Sequence, residues 1–193
     1  MHESLFTYIK SHSTTPLTEN DIEVIKDVFV PKKIRKRQYF LQEGEVCKYS
    51  AFIVKGAMRQ YRVDDKGLEH IVRLSIENWW VCDMESYLML TPSKYCIDAW
   101  EDCDVLLLTK ANWVSQLNSI PAFNEMIRKV DENFIIATQK RMATISLSAE
   151  ERYGELKENY PEFLQRFPQH IIASFLGITK ETLSRIRSHA ARK

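Results

Sequence analysis

The stretch Gln169-His-Ile-Ile-Ala-Ser-Phe-Leu-Gly-Ile-Thr-Lys-Glu-Thr-Leu-Ser-Arg-Ile-Arg187 has the pattern of two helices joined by a short turn. Ala173 is small enough for two helices to cross closely, and Gly177 tolerates the positive φ that the turn needs. Thr179 is a good N-cap for the second helix. Apolar residues occur where a shared core needs them: Ile172, Leu176, Ile178, Leu183 and Ile186. The spacing predicts a helix-turn-helix.

The second predicted helix presents polar side chains opposite its apolar face. Lys180, Glu181 and Arg185 can hydrogen-bond to base edges, so they are the expected base readers on double-stranded DNA. The residues expected to contact phosphate are Gln169, Thr179, Thr182, Arg187, Arg192 and Lys193. Six basic residues and one acid lie between residues 166 and 193, in a chain of net charge +1. The alternative is an ordinary helical hairpin whose alanine and glycine serve packing alone.

Residues 121–147, ahead of this unit, predict one long helix. Its apolar residues recur at alternating three- and four-residue steps: Ile127, Val130, Phe134 and Ala137. Such a seam packs either on its own domain or on a second copy of the chain. We favour a homodimer, because the seam continues beyond what one small barrel covers. Ser148 and Glu151 form a capping-box pattern that begins a separate module.

The region from residue 34 to residue 109 consists of short segments rich in β-branched and aromatic residues. The predicted strands are Tyr39–Leu41, Ser50–Val54, Met58–Val63, Ile71–Ile76 and Val105–Leu108. So many closely spaced strands predict a barrel or jelly roll. A helix capped by Thr18 precedes them over residues 18–29, and Pro31 limits its extension. The expected fold class is α+β, with domains 1–120, 121–147 and 148–193.

The composition argues against several classes of protein. No apolar run is long enough to cross a bilayer and no secretory signal opens the chain, so we expect a cytoplasmic protein without membrane contact. The four cysteines lack metal-ligand spacing, so we expect reduced thiols, no metal and no cofactor. Only His70 lies in the strand region, so we expect no catalytic residues. The minor alternatives are a barrel enzyme and an iron–sulfur or haem sensor.

Taken together, these segments resemble the cyclic-AMP receptor and fumarate-nitrate regulator (Crp/Fnr) family of bacterial regulators, over nearly the whole chain. Phe40–Cys47, Ala51–Gly56 and Ala99–Leu106 resemble the barrel of the family's cyclic-nucleotide-binding domain. Residues 121–147 resemble its dimerisation helix, and Gln169–Arg187 its winged helix-turn-helix. The resemblance implies a transcription regulator that binds an inverted-repeat operator as a homodimer, with RNA polymerase as a further partner. Any wing must come from residues before Gln169.

The resemblance also identifies where a cyclic nucleotide would bind. Family members hold the cyclic phosphate with a glycine-glutamate pair and a later arginine, where this chain has Cys82, Asp83 and Ser93. The neighbouring Lys94 is a poor copy of a bidentate guanidinium, so we expect cyclic AMP not to bind; an atypical cyclic-AMP site that uses Lys94 is the alternative. The candidate pocket for an unidentified small-molecule effector comprises Trp79, Trp80, Asp83, Glu85, Tyr87, Ser93 and Lys94. Its aromatic members could equally fill the core.

Overall fold

The computed structural model describes residues 1–190 and has the expected mixture of helices and antiparallel strands. The helices are α1 His2–His12, α2 Glu19–Val28, α3 Met84–Met89, α4 Lys110–Ser115, α5 Pro121–Ala143, α6 Ala149–Asn159, α7 Pro161–Arg166, α8 Gln169–Leu176 and α9 Lys180–Ala190. The strands are β1 Val30–Ile34, β2 Tyr39–Leu41, β3 Tyr49–Lys55, β4 Met58–Val63, β5 Glu69–Ser75, β6 Trp80–Val81, β7 Cys96–Ala99 and β8 Cys103–Thr109. No helix within this range is both long and apolar enough to span a membrane.

The strands form two antiparallel sheets, in the orders β1-β8-β3-β6 and β2-β7-β4-β5. A buried cluster lies between the sheets and takes side chains from both, among them Ile53 and Val105 from the first sheet and Met58 and Ile97 from the second. Strand pairing does not join the two sheets into a closed barrel in the described residues. The region is therefore a two-sheet antiparallel assembly, which fits the jelly-roll form of the expectation; a closed barrel is not shown.

Every strand predicted from the sequence is present, two of them with the predicted bounds. The sequence did not predict β1, which contains Pro31. This strand lies at the edge of its sheet, where a proline needs no ladder partner for its missing N–H group. Gly56 joins β3 to β4 with φ +101°, and a Cβ there would lie 2.6 Å from the carbonyl oxygen of Asp102. Only glycine fits at that turn.

Two helices begin at the cap residues that the sequence suggested, and both caps are capping boxes. The Thr18 hydroxyl accepts a hydrogen bond from the amide of Asp21, whose carboxylate accepts one from the amide of Thr18. Ser148 and Glu151 exchange the same two bonds at the start of α6. Helix α5 ends at Ala143, earlier than the predicted residue 147, and a short 3₁₀ turn follows it.

The N-terminal segment is fastened to α5 through Glu125. Its carboxylate accepts hydrogen bonds from the Ser13 hydroxyl and from the backbone amides of Thr14 and Thr15. These bonds favour the charged carboxylate and lower the pKa of Glu125 to about 2. The loop between α1 and α2 is thereby held against the long helix.

Candidate nucleic-acid interface

The turn between α8 and α9 follows from Gly177, which has φ +65° and ψ +36°. The amide of Ile178 donates to the carbonyl of Ala173 at 3.0 Å, and the amide of Gly177 donates to the carbonyl of Ser174 at 3.1 Å. This pair of bonds is a Schellman motif, which ends a helix and needs a left-handed residue. The Thr179 hydroxyl then accepts a hydrogen bond from the amide of Thr182 and caps α9.

Helix α9 has one buried face and one exposed face, as its sequence pattern predicts. Leu183 and Ile186 are buried, whereas the three expected base readers are exposed together on the outward side: Lys180, Glu181 and Arg185. The guanidinium of Arg185 donates a hydrogen bond to the Thr182 hydroxyl at 3.3 Å. A ligand that approaches this face can therefore reach all three polar side chains.

The expected phosphate-contacting residues are placed less uniformly. Arg187 and Thr179 are exposed, whereas Gln169 and Thr182 are partly buried. The Thr182 hydroxyl is already engaged by Thr179 at 3.0 Å. Arg192 and Lys193 lie outside the described residues.

The C-terminal region contains no strand between residue 148 and residue 190. The segment before Gln169, where a wing was expected, is instead occupied by α6 and α7. The winged form is therefore corrected to an all-helical unit over the described residues. Two prolines explain the outcome in part, because Pro161 is the first residue of α7 and Pro168 is the N-cap of α8, positions that favour the start of a helix.

Arg152 of α6 positions the turn, a role that the sequence analysis missed. Its guanidinium donates to the carbonyl of Leu176, the last residue of α8, at 2.7 Å. It also lies 3.5 Å from the place that a Cβ on Gly177 would occupy. Positively charged side chains near a helix C-terminus donate to its free carbonyls, so Arg152 stabilises the end of α8. It thereby helps to fix the direction in which α9 leaves the turn.

Helix α7 is attached to the sheets through Arg166. The guanidinium forms ion pairs with Glu77 and Glu101, and all three side chains are partly buried. Hydrogen bonds to the two carboxylates raise the pKa of Arg166. Burial raises the pKa of Glu77, but the hydrogen bonds and charge of Arg166, together with backbone hydrogen bonds, outweigh burial, and the net pKa is lowered. From the sequence, Arg166 was recognisable only as one of the basic residues of the C-terminal region.

The outer edge of β5 binds both α8 and α5. The Ser174 hydroxyl donates to the carbonyl of Glu69 at 2.9 Å and accepts from the amide of Ile71 at 3.0 Å. Arg141 of α5 donates to the carbonyl of Val72 at 2.6 Å. These bonds satisfy backbone groups that an edge strand leaves free. One strand therefore fixes the position of α8 relative to α5.

The first half of the predicted dimer seam packs on the chain's own core, and the second half is exposed. Ile127 and Val130 pack against a core cluster that includes Phe52 and Phe123. Ala137 is exposed, and Phe134 is 46% exposed. The most exposed apolar residues of this region are ones that the sequence analysis did not select: Ile135, Ile136, Met142 and Ile145.

The structure does not bring the seven residues of the candidate effector pocket together. Trp79 packs against Tyr160 and Phe163 of the C-terminal helices, at ring-centre distances of 5.7 and 5.8 Å. Trp80 packs in a different cluster, 5.3 Å from Phe52. Tyr87 is buried in the core between the sheets. These three aromatic residues therefore pack in hydrophobic cores. Core packing was the alternative to a pocket lining that the sequence left open.

The remaining members lie around a small pocket of about 160 Å³. Asp83, Glu85 and Lys94 line it, so the side chains bring two negative charges and one positive charge. The Ser93 hydroxyl donates to the Asp83 carboxylate at 2.6 Å, and both side chains are buried. A phosphate at this place would meet a net negative charge and a serine already paired.

Within residues 1–190, no group of three or more histidine, cysteine, aspartate or glutamate side chains is arranged to hold a metal ion. Three of the four cysteines are buried, and all four are free thiols. Burial raises the pKa of Cys103 to about 12. Such thiols are poor nucleophiles at neutral pH.

Comparison with known proteins gives a fold but no close relative. No protein-family model matches the chain, and no curated protein sequence matches it. Solved structures do match. A CooA variant from Carboxydothermus hydrogenoformans is 18% identical with a TM-score of 0.73, covering 91% of this chain and 81% of that one. FixK2 from Bradyrhizobium japonicum is 18% identical with a TM-score of 0.68, covering 86% and 85%.

A third similar structure is CLP from Xanthomonas campestris, named as a c-di-GMP-responsive global regulator. It is 12% identical with a TM-score of 0.66, covering 91% of this chain and 92% of that one. All three similar structures are regulators of the Crp/Fnr type. At these identities the likeness shows that the chain shares their fold, with its cyclic-nucleotide-binding-like region and long helix.

Proposed function

We propose that this protein is a sequence-specific DNA-binding transcription regulator of the Crp/Fnr type. The observation that carries the proposal is the α8–turn–α9 unit, in which Gly177 supplies the turn and Lys180, Glu181 and Arg185 share an exposed face. A helix with this separation of buried and polar faces can enter a major groove and contact base edges. The fold shared with regulators of this type supports the same interpretation.

The three exposed side chains differ in the bases that their chemistry can recognise. Arg185 suits bidentate recognition of guanine, and Glu181 can accept a hydrogen bond from a cytosine amino group. Lys180 carries a point charge and discriminates less sharply. Arg187 contacts phosphate and adds affinity without adding specificity.

The active form is a homodimer that pairs through the second half of α5. From Asp131 onward every α5 residue is exposed, and an isolated helix of that length is marginal in water. Ile135 and Met142 lie seven residues apart, on one stripe of the helix, which is the spacing of a coiled-coil contact. A two-fold dimer presents two copies of α9 and therefore fits an inverted repeat with half-sites about one helical turn, or 10 base pairs, apart.

Selection of bound sequences from random duplex DNA tests the proposal directly. We expect an inverted repeat, and we expect Arg185→Ala to lower discrimination at one position per half-site by about 1–3 kcal/mol. The matched control is Arg187→Ala, which removes the same charge from the same helix. It should weaken specific and random DNA equally and reduce the dependence of binding on salt.

Two results would contradict this assignment. Absence of any enriched sequence would remove the DNA-binding proposal itself. An unchanged ratio of specific to random affinity in Arg185→Ala would show that this face of α9 does not read bases.

The proposed function also implies further partners. A transcription regulator of this kind needs RNA polymerase as a partner, and we include a small-molecule effector of unidentified chemistry.

A further inference from the structure

Asp83 is a buried carboxylate without a positively charged partner in the described part of its own chain. It is 6% exposed and takes part in no ion pair within residues 1–190. Its one side-chain hydrogen bond in that range comes from the Ser93 hydroxyl, at 2.6 Å. This distance is typical of a hydroxyl that donates to a charged carboxylate. Although Asp83 is the N-cap residue of α3, its side chain accepts no hydrogen bond from that helix.

A second buried carboxylate is held differently. Asp98 is also 6% exposed, and it accepts two hydrogen bonds from the guanidinium of Arg59, both at 2.9 Å. Removing a carboxylate from water is costly unless a positive group or several hydrogen bonds compensate. The charge of Asp98 is compensated by Arg59, whereas one hydroxyl is all that the described residues provide for the charge of Asp83.

The space beside Asp83 is the small pocket of about 160 Å³, which it lines together with Glu85, Thr91, Lys94 and Tyr95. Glu85 and Lys94 are exposed and form no ion pair within the described range, so Lys94 does not bind the Asp83 carboxylate directly. The hydroxyls of Thr91 and Tyr95 take part in no hydrogen bond in the same range. The lining therefore offers a net negative charge and two hydroxyls that can donate or accept.

We propose that this pocket binds the ammonium group of a small hydroxylated amine. Asp83 pairs with the ammonium, Glu85 adds a second negative charge, and the lining hydroxyls hydrogen-bond to the hydroxyl of the ligand. The chemistry is the reverse of a cyclic-phosphate site, because the pocket favours a cation where it would repel a phosphate. The amine would be the effector whose chemistry is left open by the proposed function. Its role as an effector rests on that function, whereas its binding does not.

The test is thermal unfolding of the full chain without DNA at pH 7, with ethanolamine as the probe. Ethylene glycol is the matched neutral probe, because a hydroxyl replaces the ammonium at nearly the same size. Potassium chloride at equal ionic strength controls for the added salt. The variants are Asp83→Asn, Glu85→Gln and Lys94→Met. Asp65→Asn is the control, because it makes the same chemical change at an exposed aspartate.

We expect ethanolamine to raise the unfolding midpoint of the wild type saturably, by about 3–5 °C at ten times its Kd, and ethylene glycol to have no such effect. Asp83→Asn keeps an acceptor for Ser93 but loses the charge, so its affinity for ethanolamine should fall about tenfold or more. The affinity should fall about two- to fivefold in Glu85→Gln and rise about two- to fivefold in Lys94→Met, which removes a repelling charge. Asp65→Asn should respond as the wild type does.

An equal rise with ethylene glycol would overturn the proposal, as would an unchanged affinity in Asp83→Asn. So would a wild type that responds to ethanolamine no more than to potassium chloride at up to about 50 mM, which covers the affinity range of so small a ligand. If Asp83→Asn fails to fold, the opposite shifts in Glu85→Gln and Lys94→Met decide the question, because a purely structural role of Asp83 predicts neither. Because no DNA is present, a negative result leaves the proposed DNA binding unaffected, and failure to bind DNA leaves this pocket unaffected.

Discussion

Replacement of Arg166 by methionine should detach α7 from the sheets and lower the stability of the whole chain. The Arg166 side chain is 22% exposed, and Glu77 and Glu101 are each 35% exposed. Loss of one partner from a fully buried ion pair costs about 3–5 kcal/mol, whereas an exposed pair contributes about 0–1 kcal/mol. The observed partial exposure lies between these limits, so we expect Arg166→Met to lower the free energy of unfolding by about 2 kcal/mol at pH 7.

The pH dependence of this loss gives a sharper test. In the wild type, Arg166 holds the pKa of Glu77 below its ordinary value of 4.5, so the stabilisation is complete above that pH and is lost as the pH falls through the lower folded-state pKa. Without Arg166, burial still raises the pKa of Glu77 and only the backbone hydrogen bonds oppose it, so this pKa should rise from its wild-type value. The difference between wild type and variant should therefore be largest at neutral pH and should shrink below about pH 5.

Urea unfolding at pH 7 and pH 4 measures the effect, with Arg62→Met as a surface control. A double-mutant cycle with Glu77→Gln isolates the pairing energy from the loss of packing. A difference below about 0.5 kcal/mol at pH 7, the range of ordinary surface substitutions, would refute the attachment role. A difference that does not change with pH would instead assign the loss to packing alone.

Two further predictions concern assembly and the effector. Ile135→Glu combined with Met142→Glu should convert the dimer to the 22.7 kDa monomer in sedimentation at micromolar concentration, because both exposed side chains lie on the proposed pairing stripe. Glu132→Gln on the same helix should remain dimeric, and a monomeric wild type would disprove the pairing. Cyclic AMP should give no heat in titration calorimetry, because Ser93 is bound to Asp83 in a pocket of net negative charge. A Kd below about 10 μM would contradict this.

Helical periodicity selects the apolar residues of α5 but does not say which of them face a second copy of the chain. The step of three and four residues selected Ile127 and Val130, which pack on the chain's own core, whereas Ile135 and Met142 lie on another side of the helix and are exposed. Periodicity does not distinguish a stripe that packs on the chain's own sheets from one that is left for a second copy. Val130 belongs to the first kind, so a charge placed there would disturb the core before it tested pairing.

Local structure was determined largely by the sequence itself. The capping boxes at Thr18 and Ser148, and the left-handed turn at Gly177, depend on hydrogen bonds between residues at most five positions apart. The separation of the two faces of α9 also follows from spacing along a single helix. Such features are legible in a linear pattern, because the partners that stabilise them are neighbours in the chain.

Tertiary structure alone decided which distant residues meet. Ser174 binds Glu69 at the edge of β5 from 105 residues away, and Arg166 binds Glu77 and Glu101 across 89 and 65 residues. Tertiary packing also places Trp79 and Trp80, which are adjacent in sequence, in two different hydrophobic cores. Successive side chains of a strand point to opposite faces, so their neighbours are set by what packs on each face.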